Sequence, residues 1–321
     1  MDDNLPWIEK YRPASLNDVS GHEGVIKTIR RFVENKQIPH LLFYGPPGTG
    51  KTSTIVAVAR EIYGPNYKNM VLELNASDDR GIDVVRNEIK TFASTQQIFS
   101  KGFKLVILDE ADAMTNVAQN ALRRIIEKYS AHTRFCIIAN YTHKLNPALI
   151  SRCTRFRFSP LTSDAVRSRC QDVIAAESIA ITPTALDALV TLAHGDMRRA
   201  LNVLQACHAR VERGTPIDEK DIYDCVGSPD PRDVQRILTS MLKESWSTAY
   251  DVITTLKRDK GLALADILQC LTDEVITLEL DQTVRGKILS GMAEIEWRLS
   301  SGGTEKIQTS ALIGVINEAV H

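Results

Sequence analysis

The chain contains no C-x-x-C pair. Its six cysteines, Cys136, Cys153, Cys170, Cys207, Cys225 and Cys270, stand singly, which excludes a zinc knuckle and a disulfide framework and leaves reduced thiols. The seven histidines, His22 and His143 among them, show no metal-ligand spacing. Charge of either sign is not in excess: 39 Lys and Arg against 40 Asp and Glu give a formal net charge of −1. No global field therefore draws the protein to DNA or to a membrane surface, and any nucleic-acid contact needs a local cluster. No run reaches the roughly 18 continuous apolar residues of a membrane span, and Met1-Asp-Asp-Asn-Leu-Pro-Trp7 has no basic start followed by an apolar stretch. A secretory signal and a membrane partner are not expected; a cytosolic or nuclear site is. Internal repeats and low-complexity tracts are absent as well.

What remains is a chain of 321 residues, long enough for two or three domains, with the 43% hydrophobic and 25% charged content of a soluble globular protein. Up to about residue 160, short apolar strands alternate with helical patterns, as in a parallel sheet with crossover helices. The strand candidates are residues 40–44, 70–74, 104–108 and 135–139, the last two almost wholly apolar. One helix should follow residue 50 and stop at Gly64-Pro65. Another carries Ile82, Val85, Ile89 and Phe92 on one face. After Phe156-Arg-Phe-Ser-Pro160 the strand signal ends. Residues 162–226 read as helices broken at Ile181-Thr-Pro183 and His194-Gly-Asp196. Gly227-Ser-Pro-Asp-Pro231 is a linker, and helical stretches at 234–243, 263–278 and 284–299 follow, with a last helix after Ser300-Ser-Gly-Gly303.

The most informative stretch is Gly45-Pro46-Pro47-Gly48-Thr49-Gly50-Lys51-Thr52, which fits G-x-x-x-x-G-K-[ST] between an apolar strand and a helix. Glycines let the loop turn its N–H groups toward phosphate, and the helix N-terminus adds a favourable dipole. Lys51 would neutralise the β and γ phosphates, and Thr52 would offer its hydroxyl to Mg²⁺. Leu105-Val-Ile-Leu108 ends in Asp109 and Glu110. Asp109 is placed to hold Mg²⁺ and Glu110 to polarise the attacking water. Asp112 completes a D-E-A-D string that does not discriminate between families.

Asn140 follows the fourth strand and is either a partner of the attacking water and γ phosphate or a turn residue. Asn75 ends the second strand, where it would hold Glu110 in an inactive pose. Arg152, in Ser151-Arg152-Cys153, and Arg198, in Gly195-Asp-Met-Arg198-Arg199, are each candidates to stabilise phosphate charge.

In this order the residues resemble a AAA+ clamp-loader ATPase. Trp7-Ile-Glu-Lys-Tyr11-Arg12-Pro13 and Asn75-Ala-Ser-Asp-Asp-Arg80-Gly-Ile are more specific and resemble the small subunits of eukaryotic replication factor C. The resemblance covers nearly the whole chain and is weaker in the last third. It implies an α/β AAA+ P-loop domain with a parallel sheet at 1–160, a helical lid at 161–227 and an all-α collar at 228–321. It also implies a nuclear heteropentamer that uses ATP and Mg²⁺ to open the sliding clamp PCNA and load it on primer–template DNA, without base readout, in replication and repair. On the same grounds Ile8, Arg12, Pro13, Val19, Ser20 and Ser53 join the loop in holding nucleotide. Asn140 and Arg198 become sensors of the γ phosphate, and Arg152 acts in trans on ATP held by a neighbouring subunit.

Arg86 and Lys90, four apart, share a helix face, and Arg80 precedes them. Spacing alone equally suits a solvated face beside Asp83 and Glu88. The resemblance places this helix inside the DNA-gripping spiral and favours contact with the phosphate backbone. Ile98 and Phe99 either reach the clamp's hydrophobic pocket or form a buried connector. Two rival readings remain: a P-loop helicase, which predicts a second strand-rich domain, and a scaffold subunit that binds ATP without using it.

Overall fold

Strands Leu41–Tyr44 (β1), Val71–Asn75 (β2), Lys104–Asp109 (β3), Thr133–Ala139 (β4) and Thr154–Arg157 (β5) pair in parallel in the order β2-β3-β4-β1-β5. The computed structural model describes residues 5–35, 37–77, 82–95, 102–212 and 214–320, with the backbone alone at 82–86. The chain gathers into two compact units, Met1–Ile179 with Leu189–Gln205, and Ala180–Ala188 with Ala206–His321.

The strand sequences explain the layering of the first unit. Leu41, Phe43, Leu105, Ile107, Cys136 and Ile138 pack into one core with Ile26 and Ile29 of the Glu23–Glu34 helix and Ile55 of the Lys51–Tyr63 helix. Leu42, Val106, Leu108, Phe135, Ile137 and Ala139 pack into another with Ile89 of the Ile82–Ser94 helix and Leu122, Ile125 and Ile126 of the Asn116–Tyr129 helix. Neighbouring side chains on a strand point to opposite faces, so a sheet covered on both sides needs apolar residues at both parities. That is why β3 and β4 read as unbroken apolar runs. Each fully buried branched or aromatic side chain here contributes roughly 1.5–3 kcal/mol.

The four expected strands form, shifted by one or two residues. The fifth, β5, was not among the candidates. Three of its four residues are exposed, including Arg155 and Arg157, and among the described residues it pairs only with β1, at the sheet edge. An edge strand half in water has no apolar run to announce it. The Trp246–Lys260 helix was not picked out either. Ser245 caps it, accepting from Thr248 N, and Gly261 ends it in a left-handed conformation. Its buried face, Ala249, Ile253 and Leu256, is sparse.

In the second unit, five helices from Pro231–Lys243 to Glu305–Val320 share one core, with Ile237, Met241, Ile253, Ile267, Leu271 and Leu312 wholly buried. The linker predicted at 227–231 lies within this unit. Gly227 closes the Glu219–Val226 helix and Asp230 caps Pro231–Lys243 through Arg232 N.

Candidate active site

The register that pairs Tyr44 with Ala139 and Asn75 with Asp109 brings four strand ends to one edge of the sheet. In open α/β sheets this carboxyl edge is where ligands bind. β1 enters the phosphate loop there. Gly45 has φ +142°, and a Cβ on it would lie 1.9 Å from Phe158 O. Gly48 has φ +68°, and a Cβ would lie 1.6 Å from Asp196 Oδ1. Both positions favour glycine on backbone, and at Gly45 the Phe158 backbone leaves no space for a side chain, whereas at Gly48 the Asp196 side chain would have to shift. Thr49 Oγ1 donates to Pro46 O at 3.0 Å and closes the loop. Gly50 O then accepts from Thr54 N (2.9 Å) and Thr54 Oγ1 (2.8 Å), which starts the Lys51–Tyr63 helix and leaves its N-terminal amides facing the loop.

Lys51 is buried. Its Nζ donates to Gly45 O at 2.7 Å, Pro46 O at 2.6 Å and Asn140 Oδ1 at 2.9 Å. Burial pushes its pKa down to about 8, against the opposing pull of the Asp109 carboxylate. Thr52 Oγ1 donates to Asp109 Oδ2 at 2.6 Å, and Glu110 N donates to Asp109 Oδ1 at 2.9 Å. Glu110 is exposed and adopts φ +54°, a left-handed conformation that costs a non-glycine residue of order 1 kcal/mol or more and recurs at functional positions. Asp112, ambiguous in sequence, accepts from Asn140 N at 3.2 Å and Tyr141 N at 3.3 Å and so ties the ends of β3 and β4 together. The Asn75 carbonyl oxygen accepts from Ser77 N (3.0 Å) and Ser77 Oγ (2.9 Å).

A hydroxyl and a carboxylate 2.6 Å apart form a hard oxygen pair suited to Mg²⁺. Among the described residues no group of three or more His, Cys, Asp or Glu side chains forms a metal cage. The pair thus fits an ion that takes its remaining ligands from phosphate and water.

A cavity of about 360 Å³ opens over the loop. It brings together Ile8, Arg12, Pro13, Val19 and Ser20 with residues 47–53, Asp109, Glu110, Asn140 and Arg198. Arg198 arrives because Asp196 caps the Met197–Arg210 helix, accepting from Arg198 N (2.8 Å) and Arg199 N (3.2 Å). Met197 N donates to Gly48 O at 3.1 Å and docks that helix on the loop.

The sequence reading missed Glu9, Tyr11, Asp18, Leu161, Arg169, Met197 and Leu201, which also line the cavity. Arg169, on the Ser163–Ala176 helix, donates to Tyr11 O at 2.9 Å. Glu177 takes the Tyr11 hydroxyl and, at 2.6 Å, Lys10 Nζ; burial first, then Glu177, pushes the Tyr11 phenol up to about 12. The backbone N–H of buried Trp7 donates to Gln205 Oε1 at 3.1 Å. These partners lie more than 150 residues from the N-terminal segment, and no local pattern reveals them.

Two groups of predicted residues fall elsewhere. Arg152 does not line the cavity; it pairs with Glu127 and donates to Ala148 O. Lys90 is exposed and borders a separate groove with Arg124 and Lys128. The Arg86 side chain and all of Arg80, Ile98 and Phe99 lie outside the described residues.

Residues 41–161 match the family model described as "ATPase family associated with various cellular activities (AAA)", and residues 229–315 match "Replication factor C C-terminal domain". Over 320 residues the chain is 65% identical to Replication factor C subunit 3 of Blastobotrys adeninivorans, covering 100% of this chain and 95% of that protein. This chain belongs to the replication factor C subunits. Replication factor C subunit 3 of Saccharomyces cerevisiae is 57% identical over 98% of this chain and 93% of its own length. Replication factor C subunit 5 of Homo sapiens is 54% identical over 97% and 91%. As a replication factor C small subunit, the chain is an ATPase component of a clamp loader. The fold extends further. The Thermotoga maritima RuvB Holliday junction branch migration motor aligns with a TM-score of 0.55 at 16% identity, covering 85% of this chain and 93% of that one. This likeness concerns architecture alone.

Proposed function

We propose that this subunit binds ATP with Mg²⁺ in the cavity over the phosphate loop and hydrolyses it within a heteropentamer that loads PCNA on primer–template DNA. The observation that carries the reading is the convergence of Lys51, Thr52, Asp109, Glu110, Asn140 and Arg198 on one cavity at the carboxyl edge of the sheet. The adenine and ribose pack against Ile8, Arg12, Pro13, Val19 and Ser20. The loop amides cradle the phosphates, and Lys51 exchanges its loop carbonyls for the β and γ oxygens. Thr52 and Asp109 would hold Mg²⁺, which would neutralise phosphate charge there. Glu110 polarises the attacking water, Asn140 orients it, and Arg198 stabilises the γ phosphate. Arg152, outside its own cavity, completes the site of a neighbouring subunit.

The reading divides the chain into an ATPase domain at 1–160, a lid at 161–227 and a collar at 228–321. Two features support it: the change after β5 from sheet to helices joined, among the described residues, by a single isolated bridge between Ile181 and Ile217, and the two family matches at 41–161 and 229–315. Arg80, Arg86 and Lys90 follow the DNA backbone, Ile98 and Phe99 meet the clamp, and the complex works in the nucleus.

The test is the assembled complex carrying Lys51→Ala or Glu110→Gln in this subunit alone. Lys51→Ala should abolish nucleotide binding at this site. Glu110→Gln should keep binding and lower turnover at the site on the order of a hundredfold. Clamp loading untouched by both changes would make the subunit a scaffold.

A further inference from the structure

The Asn116–Tyr129 helix carries Gln119, Arg123 and Glu127 at four-residue steps, so the three share one face. That face grips the segment ending in Arg152 at two points. At one end buried Gln119 accepts from Asn146 N (2.6 Å) and donates to Met114 O (3.1 Å) and Lys144 O (3.0 Å). Asn146 in turn caps the short Pro147–Ile150 helix, just beyond which Arg152 lies. At the other end the Glu127 carboxylate takes Arg152 Nη2, while Arg152 Nη1 donates to Ala148 O. The same Glu127 oxygen lies 3.5 Å from Arg123 Nε, a buried nitrogen with no hydrogen-bond partner among the described residues.

A guanidinium has five N–H donors in one plane. Among the described residues Arg152 uses two of them inside its own subunit, which leaves three for a phosphate. An arginine held in this way is aimed before it meets its target and loses less side-chain freedom on meeting it. One carboxylate between two guanidiniums also leaves positive charge in excess, which favours a polyphosphate partner.

We propose that Glu127 is a positioning residue: it orients Arg152 toward the nucleotide of the neighbouring subunit, and Arg123 steadies the Glu127 carboxylate. This rests on the reading of Arg152 as acting in trans. The Arg152 and Glu127 side chains are 35% and 41% exposed, so the contribution is modest, about fivefold at most.

The experiment compares the assembled complex carrying Glu127→Gln, Arg152→Ala or both in this subunit, with kcat and KM for ATP measured in the presence of DNA and clamp. Glu127→Gln should lower kcat about threefold to fivefold and leave KM unchanged. It should have no further effect once Arg152 is alanine. Glu127→Asp, which keeps the charge, should restore most of the loss. An unaltered kcat in Glu127→Gln, or the same loss repeated on top of Arg152→Ala, would overturn the role of Glu127 while leaving Arg152 in place. Normal turnover in Arg152→Ala would remove the in-trans reading and this proposal with it.

Discussion

In the sheet-bearing unit the side chains withdrawn from water include two lysines, Lys51 and Lys104. In the helical unit the buried polar side chains among the described residues are Ser240, Gln308 and Thr309, and none carries charge. A buried ammonium costs several kcal/mol unless partners satisfy it. Lys104 is satisfied by the carbonyls of Phe92 (2.8 Å) and Thr95, which fasten the end of the Ile82–Ser94 helix to β3. Lys51 is satisfied by two loop carbonyls and Asn140, acceptors that phosphate can replace. The contrast separates two uses of burial. The helical unit applies it to apolar packing, and the sheet-bearing unit applies part of it to holding charge ready at the sheet edge.

The largest expected effect tests the packing side of this contrast. Leu271→Ala, in the helical core, should lower stability by about 2–5 kcal/mol, read by denaturant unfolding, with nucleotide affinity of the folded protein unchanged. A matching loss of affinity would blur the division of labour. Next comes Gly48→Ala. Strained backbone and the Asp196 carboxylate should together cost about 1–3 kcal/mol, and titration should show nucleotide binding weakened by roughly tenfold or more. Wild-type binding would mean that the loop moves away from Asp196 without cost.

The third probe is pH. Lys51 has a pKa of about 8 in the folded chain, and a bound polyphosphate favours its charged form and raises that value. Affinity should therefore hold below about pH 8 and fall above it, by at most roughly tenfold per unit, until the raised pKa of the complex is reached. A flat profile between about pH 7 and pH 9.5 would mean that Lys51 keeps its proton throughout. The smallest effect belongs to surface ion pairs of the helical unit. Lys257→Ala, which breaks the 2.5 Å pair with Glu305, should change stability by no more than about 1 kcal/mol. A larger loss would show that this unit too relies on charge.

The phosphate loop, the acids after β3 and Asn140 were readable because each is local: a strand, a turn and a polar residue at a fixed offset. The core strands were readable because burial on both faces demands apolar residues at both parities. β5 escaped because an edge strand need not be apolar. The clamp of Trp7, Lys10 and Tyr11 on Gln205 and Glu177 escaped because its partners are distant in sequence. So did the shared use of Glu127 by Arg123 and Arg152, since Arg152 comes from a separate segment 25 residues further on.

Taken alone, the order of residues determined that a nucleotide loop, its acids and a sheet to carry them exist in this chain, because those features depend on short-range spacing. Only the tertiary structure decided that Asp196 sits against Gly48, that Asp112 braces Asn140 and that Arg152 pairs with Glu127. Each of these is a meeting of residues far apart in sequence, set by how helices cover the sheet.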